Sequence, residues 1–205
     1  MNLFFLDRNL DTCAEYHIDR HVGKMQLEAA QLLTTTLWVD KYVGYVPEKL
    51  SSEQLQIIKS IKKNEPPIEQ RQFTRYLPTH ENHPCAIWVR SSLEHFYWTV
   101  CYVNALNSEC VWRGYKSHAS CEVVNSMPMP TNIPDLGWTD PPLCMPVQFQ
   151  GPDPIEAYRK FYIDDKASFA SWKRRGQPAW WPNNNAPAQV RENTLDEDME
   201  TPPWE

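Results

Sequence analysis

The segment EYHIDRHVGKMQLEAAQLL, residues 15–33, carries His17, His21, Lys24, Glu28 and Gln31 at steps of four, three, four and three. On a helix turning about 100° per residue, these side chains fall within an arc of roughly 80°. The adjoining arc holds Ala14, Ile18, Val22, Met25, Ala29 and Leu32, so the polar file lies flush against the apolar face. Groups placed there edge the core or line a cleft. A carboxylate with an amine one turn away can act as an acid/base or stabilise developing positive charge. Glu28, Lys24 and His21 are therefore the candidate catalytic groups, and His17 and Gln31 the candidate substrate contacts. The competing reading is a solvated face, in which an exposed Lys24–Glu28 pair contributes only about 0.3–0.5 kcal/mol.

Two further groupings could do chemistry. THENHP places His80 and His83 around Glu81 and Asn82. With His17 and His21 they make a four-imidazole alternative for a metal. Neither HExxH nor the His-Asp doublet of helical phosphohydrolases is present, so no metal and no cofactor are expected. Asn82 and His83 can instead bind substrate or cap the helix that Pro84 begins. Near the C-terminus, WKRRGQPAWWP mixes Lys173, Arg174 and Arg175 with flat rings, and VWRGYKSH repeats the mixture with Arg113 and Lys116. Cations suit phosphates, and aromatic rings suit unstacked bases. In the alternative, the rings are core and the cations favour the helix C-terminal dipole.

Helices must position these groups. MNLFFL reads as a strand or extended plug into the core. Thr12 and Glu15 form a T-x-x-E capping box for a helix from 12 to about 38. Ser51 or Ser52 caps a second, with Leu55, Ile58 and Ile61 inward and Pro66-Pro67 beyond its end. The third runs roughly 84–113, dense in aromatics, and stops at Gly114. Residues 125–154 hold eight prolines and read as a long irregular loop. Asp153, Pro154 and Glu156 open a last helix to about Arg175.

Composition agrees with an all-α, compact helical single domain over 1–190 with a flexible acidic tail over 191–205. Only six glycines occur, against eighteen prolines, nine Trp and nine Tyr, which favours helices joined by stiff connections over a sheet with glycine turns. Net charge is −6, but the tail holds six acidic residues and one basic one, leaving 20 acidic and 19 basic residues in 1–190. A nucleic-acid surface must then be a local patch on a nearly neutral body. Six scattered cysteines without a CxxC pair fit a reduced, cytoplasmic protein. No apolar run reaches the ~20 residues that span a bilayer, so no membrane partner is expected.

HVGKMQLEAAQLL resembles a motif of bacterial and phage proteins grouped with the pyrimidine-dimer DNA glycosylases, with Lys24, Glu28 and Gln31 matching by position and His21 in a basic slot. NHPCAIW resembles that group's Asn-His-Pro helix start, with Trp88 one residue early, and VWRGYK its later Trp/Arg-Gly-Tyr signature at a shortened spacing. The three blocks cover about half the chain. The resemblance implies an all-helical DNA-repair fold in which an α-amine attacks the sugar C1′ of a flipped nucleotide and a glutamate stabilises the imine. Here the chain reads Met1-Asn2 where those enzymes expose a threonine, so the amine would be that of Met1, or Lys24 in its place. Three functions follow. One is a glycosylase-like enzyme on DNA or a nucleotide. Another is a non-catalytic phage protein binding nucleic acid or a host protein, and the third a metal-dependent hydrolase using the histidines.

Overall fold

The computed structural model describes residues 1–182. Seven α-helices account for its regular structure: α1 Leu10–Tyr16, α2 Asp19–Tyr42, α3 Ser52–Lys63, α4 Pro84–Ser91, α5 Leu93–Trp112, α6 Ala119–Asn125 and α7 Pro154–Lys166. Two short 3-10 turns lie between helices and a third follows α7, and no strand occurs among the described residues, so the fold is all-α. The tail expected over 191–205 lies outside those residues.

The long early helix is in fact two. Asn9, not Thr12, caps α1, its side chain accepting from Thr12 N. His17 and Ile18 are both extended (ψ 136° and 154°), which ends α1 and restarts the chain as α2. The N–H groups freed by this break are taken by distant partners: the Tyr162 hydroxyl accepts from Ile18 N at 3.0 Å, and Ser171 O from Asp19 N at 2.9 Å. The aromatic helix is broken likewise. Ser92 is extended, its hydroxyl caps α5 at Glu94 N, and Leu93 N donates to Pro134 O. α3 starts as expected, with a full Ser51/Gln54 capping box. α7 is capped by Asp153 but stops at Lys166, so Lys173, Arg174 and Arg175 lie beyond it in irregular chain. α6 has a histidine cap, His118 accepting from Ser120 N.

α2 is the central rod, packed against α5 and α4, with α1 and α6 also on α5. The plug expectation holds as an extended segment: Leu3, Phe4, Phe5 and Leu6 are buried. Phe4 stacks on His21 at 5.0 Å and meets Tyr162 edge-on. Phe5 joins Trp98 and Trp138, which with Trp88 form an aromatic cluster of edge and tilted contacts. Each such pair contributes about 0.5–1.5 kcal/mol beyond area burial.

The proline-rich loop is stitched down along its length. Asp40 accepts from Thr131 N and Asn132 N at 2.7 and 2.9 Å. Trp88 Nε1 donates to Thr139 O, and Thr139 N to His95 Nε2. A second clamp steadies the approach to α4. The buried Arg90 guanidinium donates to the carbonyls of Val46, Glu48 and Glu81. Asn82 accepts from Leu50 N and donates to Leu50 O. Together they hold the 46–50 loop against 81–82 and so fix where His83 begins α4.

Candidate functional site

Glu28 lies mid-way along α2 with its side chain 18 % exposed. Its Oε2 accepts from Asn2 N at 2.9 Å and stands 3.9 Å from the Met1 α-amino group, while Lys24 Nζ is 3.5 Å from Oε1. The carboxylate thus sits between two amines of different character. The Met1 side chain is largely covered, whereas the Lys24 side chain is half exposed. Glu28 can bind the amine because the 1–6 segment is held rigidly past it. Asn2 Oδ1 accepts from Leu3 N and shares the Tyr158 hydroxyl with Pro142 O, and Asn2 Nδ2 donates to Cys144 O at 3.0 Å.

His83, the N-cap of α4, faces the same neighbourhood. Its Nδ1 accepts from Cys85 N at 3.1 Å. Burial pulls its pKa below the ordinary value, the positive charges of the Met1 amine and His80 act in the same direction, and Glu28 opposes them. Cys85, one residue into α4, meets Cys144 of the proline-rich loop with the sulfurs 3.4 Å apart. The chain start, α2, the α4 N-terminus and the loop therefore converge on one group: the Met1 amine, Glu28, His83, Cys85 and Cys144. His83 feels the charges of both Glu28 and the Met1 amine, which puts these two sequence candidates in one electrostatic neighbourhood. Asn2, Cys85, Cys144 and Tyr158 were not among the sequence candidates. Cys85 and Cys144 are 59 positions apart, and no spacing rule links them.

The remaining candidates separate. His17 is fully buried in the α1–α2 break. Its Nδ1 donates to Cys13 O at 2.7 Å, which leaves Nε2 to accept from the Tyr102 hydroxyl at 2.9 Å. His21 is buried too, its Nδ1 taking the proton of Tyr162, whose oxygen already accepts from Ile18 N. Burial lowers His17 to about 4 and His21 to about 2. Both rings are neutral structural bridges, so the expectations of a substrate contact at His17 and a catalytic group at His21 are corrected: neither ring is open to a ligand. Asn82 is corrected likewise, its amide being spent on Leu50. Gln31 is half-buried on the face that carries Glu28. His80 is exposed at φ 53°, bonded to Thr79. The four-histidine metal alternative fails on geometry. Among the described residues the one set of three or more ligand-type side chains within reach of a common ion is His83, Cys85 and Cys144.

Arg113 is also corrected. Its guanidinium is wholly buried and donates to Glu109 at 2.7 Å, Asp19 at 2.8 Å and Glu15 O at 3.0 Å. Arg175 closes the network on Glu109 at 2.6 Å while lying over the Trp112 ring. Asp19 additionally accepts from Ser171 and from Lys173 N. Lys116, Lys173 and Arg174 keep exposed side chains. Lys173 N and the Arg113 guanidinium both meet Asp19, nine residues before Glu28 and so about 13 Å away along the α2 axis. A separate cleft of about 550 Å³, lined by Arg8, Asp11, Trp98 and Asn104 among others, includes none of the Glu28 group.

Among the described residues no helix is long and apolar enough to cross a membrane. Comparison with protein-family models, with curated proteins and with solved structures finds no match to this chain.

Proposed function

We propose that this chain is a glycosylase-type enzyme acting on a flipped nucleotide of DNA, with Glu28 as the charge-stabilising carboxylate and the Met1 α-amine as nucleophile. The observation that carries the reading is the 3.9 Å approach of that amine to Glu28, reinforced by the Asn2 N–H on the same oxygen. In the reaction the neutral amine attacks C1′ of the deoxyribose. The glycosidic bond breaks with its electron pair leaving on the base, which takes up a proton. The attached nitrogen gives up a proton, its lone pair opens the C1′–O4′ bond, and O4′ takes up a proton. C1′=N is then a protonated imine whose positive charge Glu28 stabilises, and water adding to C1′ expels the amine and releases the sugar. The α-amine suits this better than Lys24, because the 1–6 segment that carries it is pinned through Asn2, whereas the Lys24 side chain is half exposed. The exposed Lys116, Lys173 and Arg174 supply cations for the DNA backbone some distance along α2. Six free thiols accord with a cytoplasmic setting.

Borohydride trapping on duplex DNA with an abasic site tests the reading. A covalent protein–DNA adduct should form, map by mass spectrometry to residue 1, persist in Lys24→Arg, and be lost in Glu28→Gln and in a protein extended by a few residues before Met1. An adduct that maps elsewhere, or an extended protein that traps equally well, refutes the amine. No adduct on any damaged or modified DNA, with DNA bound normally, turns the chain into a non-catalytic binder.

A further inference from the structure

The group formed by His83, Cys85 and Cys144 has a use that the reaction above does not require. All three candidate ligand atoms lie within 4.8 Å of one another. They come from two segments, the first turn of α4 and the proline-rich loop, and both are anchored independently of any ion. Arg90 and Asn82 fix the first. Asn2 Nδ2 on Cys144 O and the Tyr158 hydroxyl on Pro142 O fix the second. A tetrahedral zinc with Zn–S bonds of about 2.3 Å holds two sulfurs roughly 3.8 Å apart. The two thiols stand at 3.4 Å, so seating the ion asks them to part by a few tenths of an ångström. Closing a disulfide would instead require the sulfurs to approach to about 2.05 Å, a larger movement of two anchored segments.

We propose that His83, Cys85 and Cys144 form a zinc site with three protein ligands and an open fourth corner. Two thiolates and an imidazole select a borderline-soft ion and disfavour magnesium and calcium, which take oxygen ligands. Three protein ligands leave the last position to water or an incoming ligand, as in catalytic rather than structural zinc sites. Cys85 is buried, while Cys144 and His83 are half-exposed, so the ion enters from their side. One lone pair of His83 is already engaged. A neutral imidazole offers a single such pair, and Nδ1 uses it to accept from Cys85 N. Zinc therefore competes with the α4 cap, exchanging one hydrogen bond for a coordinate bond. The Met1 ammonium nearby opposes a cation, and Glu28, already paired with it, offsets that charge.

Metal content of the full chain decides the matter without reference to activity. Elemental analysis after purification under reducing conditions should give one zinc per chain. Cobalt(II) added to the chelator-stripped protein should produce the intense near-ultraviolet band of thiolate-to-cobalt charge transfer. Cys85→Ser and Cys144→Ser should each lower zinc affinity more than about a hundredfold. Cys110→Ser, a buried thiol elsewhere, should not. His83→Asn keeps an acceptor for the α4 cap while removing the imidazole, and should also weaken zinc. Should a variant fail to fold, the wild type still reports: zinc should slow alkylation of Cys144, read by peptide mass spectrometry. No charge-transfer band, an unchanged alkylation rate with zinc present, or a Cys85–Cys144 disulfide in freshly reduced and purified protein would overturn the site. Because each readout is metal or thiol chemistry, failure here leaves the amine reaction standing, and the reverse.

Discussion

Replacing Arg113 by methionine separates a buried keystone from a DNA contact. The guanidinium is wholly buried and satisfies two carboxylates, Asp19 and Glu109, plus the Glu15 carbonyl. Removing one partner of a buried ion pair costs about 3–5 kcal/mol, because the other charge remains uncompensated. The local geometry points to the lower end. Glu109 keeps Arg175 at 2.6 Å, and Asp19 keeps Ser171 and Lys173 N, so each carboxylate retains a donor. We expect a loss of about 3 kcal/mol, which for a chain of this size lowers Tm by about 6–12 °C. Arg175→Met is the comparison. That side chain is 24 % exposed and its removal leaves Glu109 paired with Arg113, so after allowance for solvent screening about 1 kcal/mol should go. Urea unfolding of both variants, with Arg113→Met/Asp19→Asn to measure the coupling, gives the numbers. DNA affinity against salt completes the assay, since each lost phosphate contact reduces the slope of log K on log salt by about 0.9. Arg113→Met should leave that slope unchanged. A variant within about 1 kcal/mol of the parent, with the slope reduced by one contact, would refute the buried role.

Two further outcomes follow from the core. His17 and His21 bind fewer protons folded than unfolded between the ordinary histidine range and their lowered values of about 4 and about 2. Stability is therefore full above pH ~6.5 and falls as the pH drops through that window, each ring removing about 2 kcal/mol by pH 5. Urea midpoints measured from pH 7.5 to 5 should decline with that slope, and His17→Gln should roughly halve it, His21 remaining; a flat profile in the parent would contradict the buried neutral rings. Asn82→Ala strips both backbone partners from the nearly buried Leu50, at about 2 kcal/mol, and should accelerate hydrogen exchange at the Leu50 amide. An unaltered exchange rate there would show that the clamp does not hold the 46–50 loop.

Much of this architecture is written locally. Ser51 with Gln54, Asp153 with Pro154, and Pro84 after His83 each mark a helix start through bonds spanning two or three residues, and the periodicity of α2 puts Lys24, Glu28 and Gln31 on one face whatever surrounds it. The apolar run at 3–6 is buried as its composition demands. By contrast, both helix breaks escaped the pattern. Nothing local forces His17–Ile18 out of helix. The extended conformation persists because Tyr162 and Ser171, more than 140 positions away, accept the amides that the break frees. Likewise, a histidine and an arginine look the same in sequence whether they face solvent or close a buried network. His17 and Arg113 became structural only when Tyr102, Asp19 and Glu109 were folded around them.

Helix periodicity and capping depend on neighbours within a turn or so, and the order of residues therefore suffices to specify an all-helical chain with Glu28 at the boundary of the core. What stands near Glu28 comes from folding over long range: the Met1 amine brought in by the buried N-terminal segment, and His83 with the Cys85–Cys144 pair. Those meetings are set by long-range packing and hydrogen bonds between segments up to 156 positions apart, such as the Tyr158 hydroxyl on Asn2 Oδ1, and such contacts leave no periodic trace in the order of the residues.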